Sequence, residues 1–517
     1  MPTPDIGDSS ADNSGVDAQA TRADMGRLMK HSSIYVIGGM LNRVGVFLLL
    51  PVYTSYLSLA EYGTLELFYA TAAVASGLLS AGLAHATLRF YFEYEEEAER
   101  NAVVSTNLAL GGLLGVVGAV GIMAAREPLA ATVFGTPGAS TGLVIIAITM
   151  ALEMSTQICL GFVRAREASK TFLAIVLARL VVQVAANSYA VIGLGAGVTG
   201  VLTGNALAVG FGWLCAITYT VRRCGLRVDL SKADPILRYS LPFLASTIVA
   251  VLAANVDRLV IRKLLSLEAL GLFALALKFS ILPEQLIGEP FNRAYGALRF
   301  SIMRQENAAL VQAKVVRLLL AVAVFTALGV QLFTVDVLRF MSGVEFRGAV
   351  AYLPWLLIAA IIRIVTYPLQ TGILVRRRTG RLFHINLANS CLYIAGSLLL
   401  IRYFGVAGVC LAMVGSASFT MIATDRAAQA HFPVRYEWDR LVRIILIGAG
   451  AFLAGLPLVT ADTSAVIPLK MLVLAGFAVA LVFSAAFDAD ERTMARDWAY
   501  GQLQGAFGRW PAGQESH

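Results

Sequence analysis

Histidine and cysteine are scarce in this chain, five of each in 517 residues. Cys159, Cys215, Cys224, Cys391 and Cys410 stand singly and mostly within apolar runs, which excludes a disulfide framework and a thiolate metal site from the expectations. The histidines do not cluster, and no outer loop exceeds about fifteen residues, so a polytopic glycosyltransferase or ligase with a reaction centre outside the membrane is disfavoured. No phosphate loop of the G-x-x-x-x-G-K-[ST] kind is present, so ATP hydrolysis is not expected. The chain therefore reads as a non-enzyme with neither cofactor nor metal. Charge is sparse as well. Only 14% of residues are charged and 58% are apolar, with mean hydropathy +0.72, whereas soluble domains average roughly 25% charged and 45–50% apolar. The solvent of most of this chain is lipid.

Fourteen apolar runs of about 20 residues, the length that crosses a hydrocarbon core, recur between short polar breaks. Their unbroken apolar character predicts helices, because a spanning strand is about ten residues long and alternates apolar with polar. The expected fold is thus an all-α polytopic membrane protein with about 14 transmembrane helices. Residues 1–31 read as a disordered cytoplasmic tail without the basic start and short apolar core of a secretory signal. Residues 488–517 read as a second cytoplasmic tail. With the N-terminus inside, 27 Lys and Arg fall on the cytoplasmic side, 6 on the other and 8 within spans, and this bias places both termini in the cytoplasm. The net charge of +8 is spread over loops beside the spans, so topology explains it better than nucleic-acid binding. The acidic run Glu93, Glu95, Glu96, Glu97 and Glu99 is most simply a solvated face.

The chain repeats itself. LSLAEYG at Leu57 to Gly63 returns as LSLEALG at Leu265 to Gly271, an offset of 208, and GFVRAREASKTF from Gly161 resembles GILVRRRTGRLF from Gly372, an offset of 211. Two parallel six-helix repeats follow, an N-lobe over 32–220 and a C-lobe over 238–428, joined by a cytoplasmic linker at 221–237. Residues 440–487 form an added helix pair. Facing repeats of this kind predict a central cavity and alternating access.

Charge inside the spans is expensive and usually functional. The run at 270–296 carries Lys278, Gln285, Glu289 and Arg293 at helical spacing, with Pro283 and Pro290 inviting a bend or break. Span 238–263 adds Asn255, Asp257 and Arg258, the first span Asn42 and Arg43, and further spans Arg179, Glu153 and Arg363. Arg43, Arg179, Arg258, Lys278 and Arg363 are the candidate substrate-binding cations, because converging guanidinium and ammonium groups in a wet cavity suit an anion, above all a phosphate. Asn42, Asn255, Gln285, Glu289, Arg293, Pro283 and Pro290 are candidate polar or gating positions. Glu153, Asp257 and Glu289 are candidate coupling acids.

The opening segment, His31 to Phe92, resembles the N-terminal hairpin of Wzx-type polysaccharide flippases. It shares Ser32 and Ser33, the P-x-Y-T run Pro51 to Thr54, the turn Leu57 to Gly63 and the end Arg89 to Phe92. The resemblance implies the fold of multidrug/oligosaccharidyl-lipid/polysaccharide (MOP) exporters and secondary-active flipping of polyprenyl diphosphate-linked oligosaccharide across the bacterial inner membrane. It further implies an H+ or Na+ coupling ion and a polysaccharide polymerase and export machinery as partners. A lipid II flippase and a cation-coupled multidrug exporter of the same fold are the competing cargo assignments. The multidrug exporter should favour buried carboxylates over Arg and Lys.

Overall fold

The computed structural model describes residues 45, 47–80, 82–376, 378–461 and 466–484. Among them every regular element is helical and no strand occurs. Ten helices among the described residues are long and apolar enough to cross a membrane, which makes the chain a multi-pass membrane protein. This count takes in ten of the fourteen expected spans, and neither the first nor the second is among them. Most of the first span lies outside the described residues, leaving α1 (Phe47–Tyr56). The run at 64–90 is two helices, α2 (Leu59–Ser80) and α3 (Leu83–Glu93). Gly82 parts them with φ +89, a left-handed conformation that a Cβ disfavours, and it packs directly on the backbone of Ser240.

Two compact units divide the chain, Met1–Gly271 and Leu272–His517. The first continues with α4 (Glu97–Ala124), α5 (Ala139–Ala165), α6 (Ser169–Ser188), α7 (Gly197–Cys224) and α8 (Ala233–Leu264). The expected linker at 221–237 falls inside this unit rather than at its edge. Packing explains why α8 stays with the first unit. A Cβ on Gly77 would strike Val251, Arg89 stacks on the Tyr239 ring at 4.5 Å, and Arg262 donates to the Phe134 carbonyl at 2.7 Å. The stretch ahead of α8 is strapped to α4: Ser105 donates to the Gly225 carbonyl, and Thr106 exchanges hydrogen bonds with the backbone of Asp229. Glu99 pairs with Lys232 and Glu97 with Arg166. Part of the acidic run therefore ties loops together instead of only facing solvent.

Helix α9 (Leu267–Ser280) begins at the second LSL turn. Both turns start helices by the same chemistry. Ser58 and Glu61 form a reciprocal capping box, and the Ser266 hydroxyl accepts from the Ala269 amide. The two turns also touch. A Cβ on Gly63 would lie 2.0 Å from the Leu267 carbonyl oxygen, and one on Gly271 would lie 2.5 Å from that of Leu59. Leu59 and Gly63 are the repeat mates of Leu267 and Gly271, so the contact is reciprocal.

The second unit holds a π-helical turn at Glu284–Gly288, then α10 (Glu289–Ile302), α11 (Ala308–Met341), α12 (Leu353–Leu369), α13 (Thr379–Phe404), α14 (Val406–Gln429), α15 (Trp438–Thr460) and α16 (Ile467–Phe483). The repeat persists in backbone angles at an offset of 210, one residue less than the sequence alignment of this segment. Arg166 and Arg376 end their helices at φ −84, ψ 6 and φ −85, ψ 8, and Ala168 and Arg378 open the next at φ −79, ψ 58 and φ −91, ψ 49. Phe477 of α16 and Ile444 of α15 are buried against Val324 and Leu328 of α11, so the added pair shares the core of this unit.

Candidate functional site

The broken helix of the second unit is the most polar part of its membrane-spanning chain. Pro283 and Pro290 bracket the π turn, and each removes a backbone donor that a continuous helix would use. The wider turn also shifts helical phase, so the stripe predicted at a uniform 100° per residue from Lys278 to Arg293 does not persist through 284–288. The consequence falls on Glu284. Its carboxylate accepts from Arg363 Nε at 3.1 Å and from the Tyr367 hydroxyl at 2.7 Å, both on α12. Gly288 lets α12 come close, since a Cβ there would meet Ile364 at 3.0 Å and Tyr367 at 3.2 Å. The Arg363 and Glu284 side chains keep 33% and 21% of their surface, so the pair is sheltered yet reachable.

Around this cluster the predicted positions separate. Lys278 and Gln285 are half-buried, and Pro283 is buried. Glu289 meets Arg293 at 3.4 Å, one turn along α10, with Arg293 63% exposed. Gln312 of α11 bridges Tyr295 to the carbonyl of Pro368, the proline within α12.

In the first unit Arg179 meets Glu153 at 2.9 Å, and Gln157 holds the same carboxylate at 2.7 Å. One turn further along α6, Gln183 and Asn187 both donate to the Asn205 side-chain oxygen. Asn187 also donates to the Tyr53 hydroxyl, and Asn205 to that of Tyr69, at 2.7 Å each. Gln183 and Asn187 lie on the predicted stripe of α6. Tyr53, Tyr69 and Asn205 do not stand out in sequence, because an aromatic or an amide in an apolar run gives no sign of its partner. In α8, Arg258 pairs with Asp257 at 2.8 Å and also donates to the Ala254 carbonyl, while Asn255 donates to that of Val251. Asn255 thus turns back on its own helix rather than serving a shared polar face. Asn42 and Arg43 lie outside the described residues.

Three of the five candidate cations have an acidic neighbour. Arg179, Arg258 and Arg363 each face a carboxylate. Two further clusters went unpredicted. Lys470, fully buried in α16, meets Asp336 of α11 at 2.6 Å, and Arg339 lies 3.6 Å from the same carboxylate. Near the other end of α11, buried Arg317 meets Glu437, which also faces Arg440 at 3.5 Å. The sequence signal for the first is a single lysine in an otherwise apolar run, IPLKMLVLAGF.

A sequence profile for a family described as "Polysaccharide biosynthesis protein" matches residues 28–295. No curated protein matches the chain. Among solved structures, the chain is similar to "Lipid II flippase MurJ, inward closed conformation", with TM-score 0.69 and 11% identity over 88% of this chain and 98% of that one. It is also similar to an inward-facing multidrug resistance MATE family transporter of the MOP superfamily, with TM-score 0.61 and 15% identity over 78% and 96%. A further MATE protein, solved in complex with MaD3S, gives TM-score 0.55 and 15% identity over 81% and 96%. At these identities the likeness is one of fold.

Proposed function

Since its match spans more than half of the 517 residues, the chain belongs to the polysaccharide biosynthesis protein family, and we propose that it is a secondary-active flippase of polyprenyl diphosphate-linked oligosaccharide. The cargo is a repeat unit of a surface polysaccharide, carried across the bacterial inner membrane by alternating access, with both termini in the cytoplasm. A polysaccharide polymerase and export machinery consume it on the far side. The observation that carries this reading is the Arg363–Glu284–Tyr367 cluster, set on a broken spanning helix and its neighbour. An arginine held by one carboxylate and still partly exposed can release that partner to take a diphosphate oxygen, for which its planar donor fork is suited. Arg179 with Glu153 has the same character in the first unit. Lys278, half-buried on α9, supplies a further ammonium, and Arg43 and Arg258 complete the proposed cationic set.

The membrane potential favours outward movement of negative charge by about 2.3 kcal/mol per charge per 100 mV when the cytoplasm is negative. A coupling proton or sodium ion would act at Glu153, Asp257 or Glu289. The test is reconstitution into liposomes with a fluorescent polyprenyl diphosphate sugar, scored for leaflet exchange, with lipid II as a parallel cargo. Lys278→Ala and Arg363→Ala should each slow exchange at least tenfold at normal expression and unchanged melting temperature, with Arg363→Lys intermediate. Full exchange in both alanine variants overturns the reading. Faster exchange of lipid II reassigns the cargo.

A further inference from the structure

Between α6 and α7, within the first unit, lies a cavity of about 550 Å³ whose chemistry is graded along the helix axes. The end farther from the last turn of α7 is apolar, formed by buried Ile175, half-buried Cys215 and exposed Leu214. Thr171, Thr218 and Tyr219 line the middle with hydroxyls, and Arg222 and Arg223 form the rim. Both arginines are exposed in the last turn of α7, and neither has an ion pair among the described residues. The three hydroxyls likewise donate to no other described residue. From Leu214 to Arg222 the helix rises about 12 Å. That is enough to run from the headgroup layer into hydrocarbon. A crevice that merely collected acyl chains would need neither the hydroxyl tier nor the paired guanidinium groups.

We propose that this cavity binds an anionic glycerophospholipid of the surrounding bilayer. Its phosphate sits on Arg222 and Arg223, its ester oxygens accept from Thr171, Thr218 and Tyr219, and one acyl chain lies along Ile175, Leu214 and Cys215. Charge complementarity selects the headgroup. Two arginines attract a net-negative lipid, whereas a zwitterionic one brings its own ammonium. Basic pockets between spanning helices at the cytoplasmic side recognise lipid headgroups in this way. The site uses none of the residues assigned to the cargo and does not depend on the cargo's identity.

The experiment is native mass spectrometry of the full-length protein in nanodiscs of phosphatidylglycerol and phosphatidylethanolamine, counting retained lipid. Wild type should retain phosphatidylglycerol selectively. R222Q/R223Q should bind it ten- to thirtyfold more weakly, as expected for losing two basic contacts, with phosphatidylethanolamine unchanged. R222K/R223K should keep part of the preference. Cys215→Phe, which fills the apolar end and spares both arginines, should also lose the lipid, so the result does not rest on one variant's folding. Unchanged phosphatidylglycerol retention in R222Q/R223Q, or equal retention of both lipids by wild type, overturns the proposal. So does displacement by a polyprenyl diphosphate, which would make the cavity part of the cargo path.

Discussion

Gly63→Ala places a methyl group where no room exists. Its Cβ would stand 2.0 Å from the Leu267 carbonyl oxygen and 2.9 Å from the carbon, against 3.4 Å for ordinary contact, so the backbones must part by 1.4 Å. The obstacle is main chain, which cannot swing aside as a side chain would. Gly271→Ala meets the Leu59 carbonyl at 2.5 Å and needs 0.9 Å. Overpacking of this kind costs about 1–3 kcal/mol, sometimes more, while alanine gains roughly 0.5–1 kcal/mol over glycine within a helix. The net expectation is a loss of about 2 kcal/mol for Gly63→Ala and about 1 kcal/mol for Gly271→Ala. Gly121→Ala and Gly380→Ala, with nothing within 4 Å, should be neutral or slightly stabilising. Unfolding in detergent micelles, followed by intrinsic fluorescence, gives the ranking. Because both substitutions spread the same contact, the double variant should cost less than the two losses combined. A Gly63→Ala protein as stable as wild type, or strict additivity of the pair, would refute the reciprocal contact.

The buried charges of α16 and α11 give a second ordering. Asp336→Leu strands Lys470, which is fully buried, whereas Lys470→Met leaves Asp336 with Arg339 at 3.6 Å. Breaking a buried pair costs roughly 3–5 kcal/mol, so Asp336→Leu should be the more destabilising, with Asp336→Leu/Lys470→Met recovering much of the loss in the same unfolding assay. Equal effects of the two single changes would argue against Lys470 being the stranded group. A third expectation concerns acid. Desolvation and the nearby Arg378, Arg381 and Arg376 hold the imidazole of His431 below its ordinary 6.5. The unfolded chain therefore takes up this proton first, and its contribution to stability, complete above pH 6.5, falls as the pH drops through that value towards the lower folded one. His431→Gln should flatten the melting-temperature profile just below pH 6.5. An identical slope in wild type and variant would remove the assignment.

The membrane-spanning helical class was legible because burial in lipid forces both composition and run length, which a sequence states directly. The repeat was legible at its turns. LSLAEYG and LSLEALG keep a capping serine and a glycine because a helix start and a main-chain contact constrain both. The break in the second span of each repeat was half legible. Pro283 and Pro290 announce it in the second copy, but in the first it rests on Gly82, the repeat mate of Pro290, which takes a positive φ beside Ser240. The candidate site was legible as charge and illegible as pairing. Arg363 and Glu284 are 79 positions apart, and only the π turn brings the carboxylate round to α12. Lys470 and Asp336 are 134 positions apart, and a 17-residue apolar helix hides its one charge well.

Pairing changes what a cation inside a spanning segment can do. A lone arginine at the bilayer centre costs between about 2.5 and 17 kcal/mol by different routes of estimation, so a resting protein with several unpaired ones would be hard to insert. A carboxylate partner removes most of that cost. It does so without committing the arginine, because a phosphate oxygen can replace the carboxylate as both counter-charge and hydrogen-bond acceptor at the guanidinium. The balance then depends on burial. Where the cation itself is fully buried, as Lys470 is beside Asp336, separation strands its charge and the pair serves as a fastening. Where both members keep a fifth to a third of their surface, as at Arg363 with Glu284 and Arg179 with Glu153, water or another ion can reach either half. The same chemistry thus divides into fixed and exchangeable pairs. On that criterion the exchangeable ones lie on the broken helix and its neighbour in one unit and on α5 and α6 in the other.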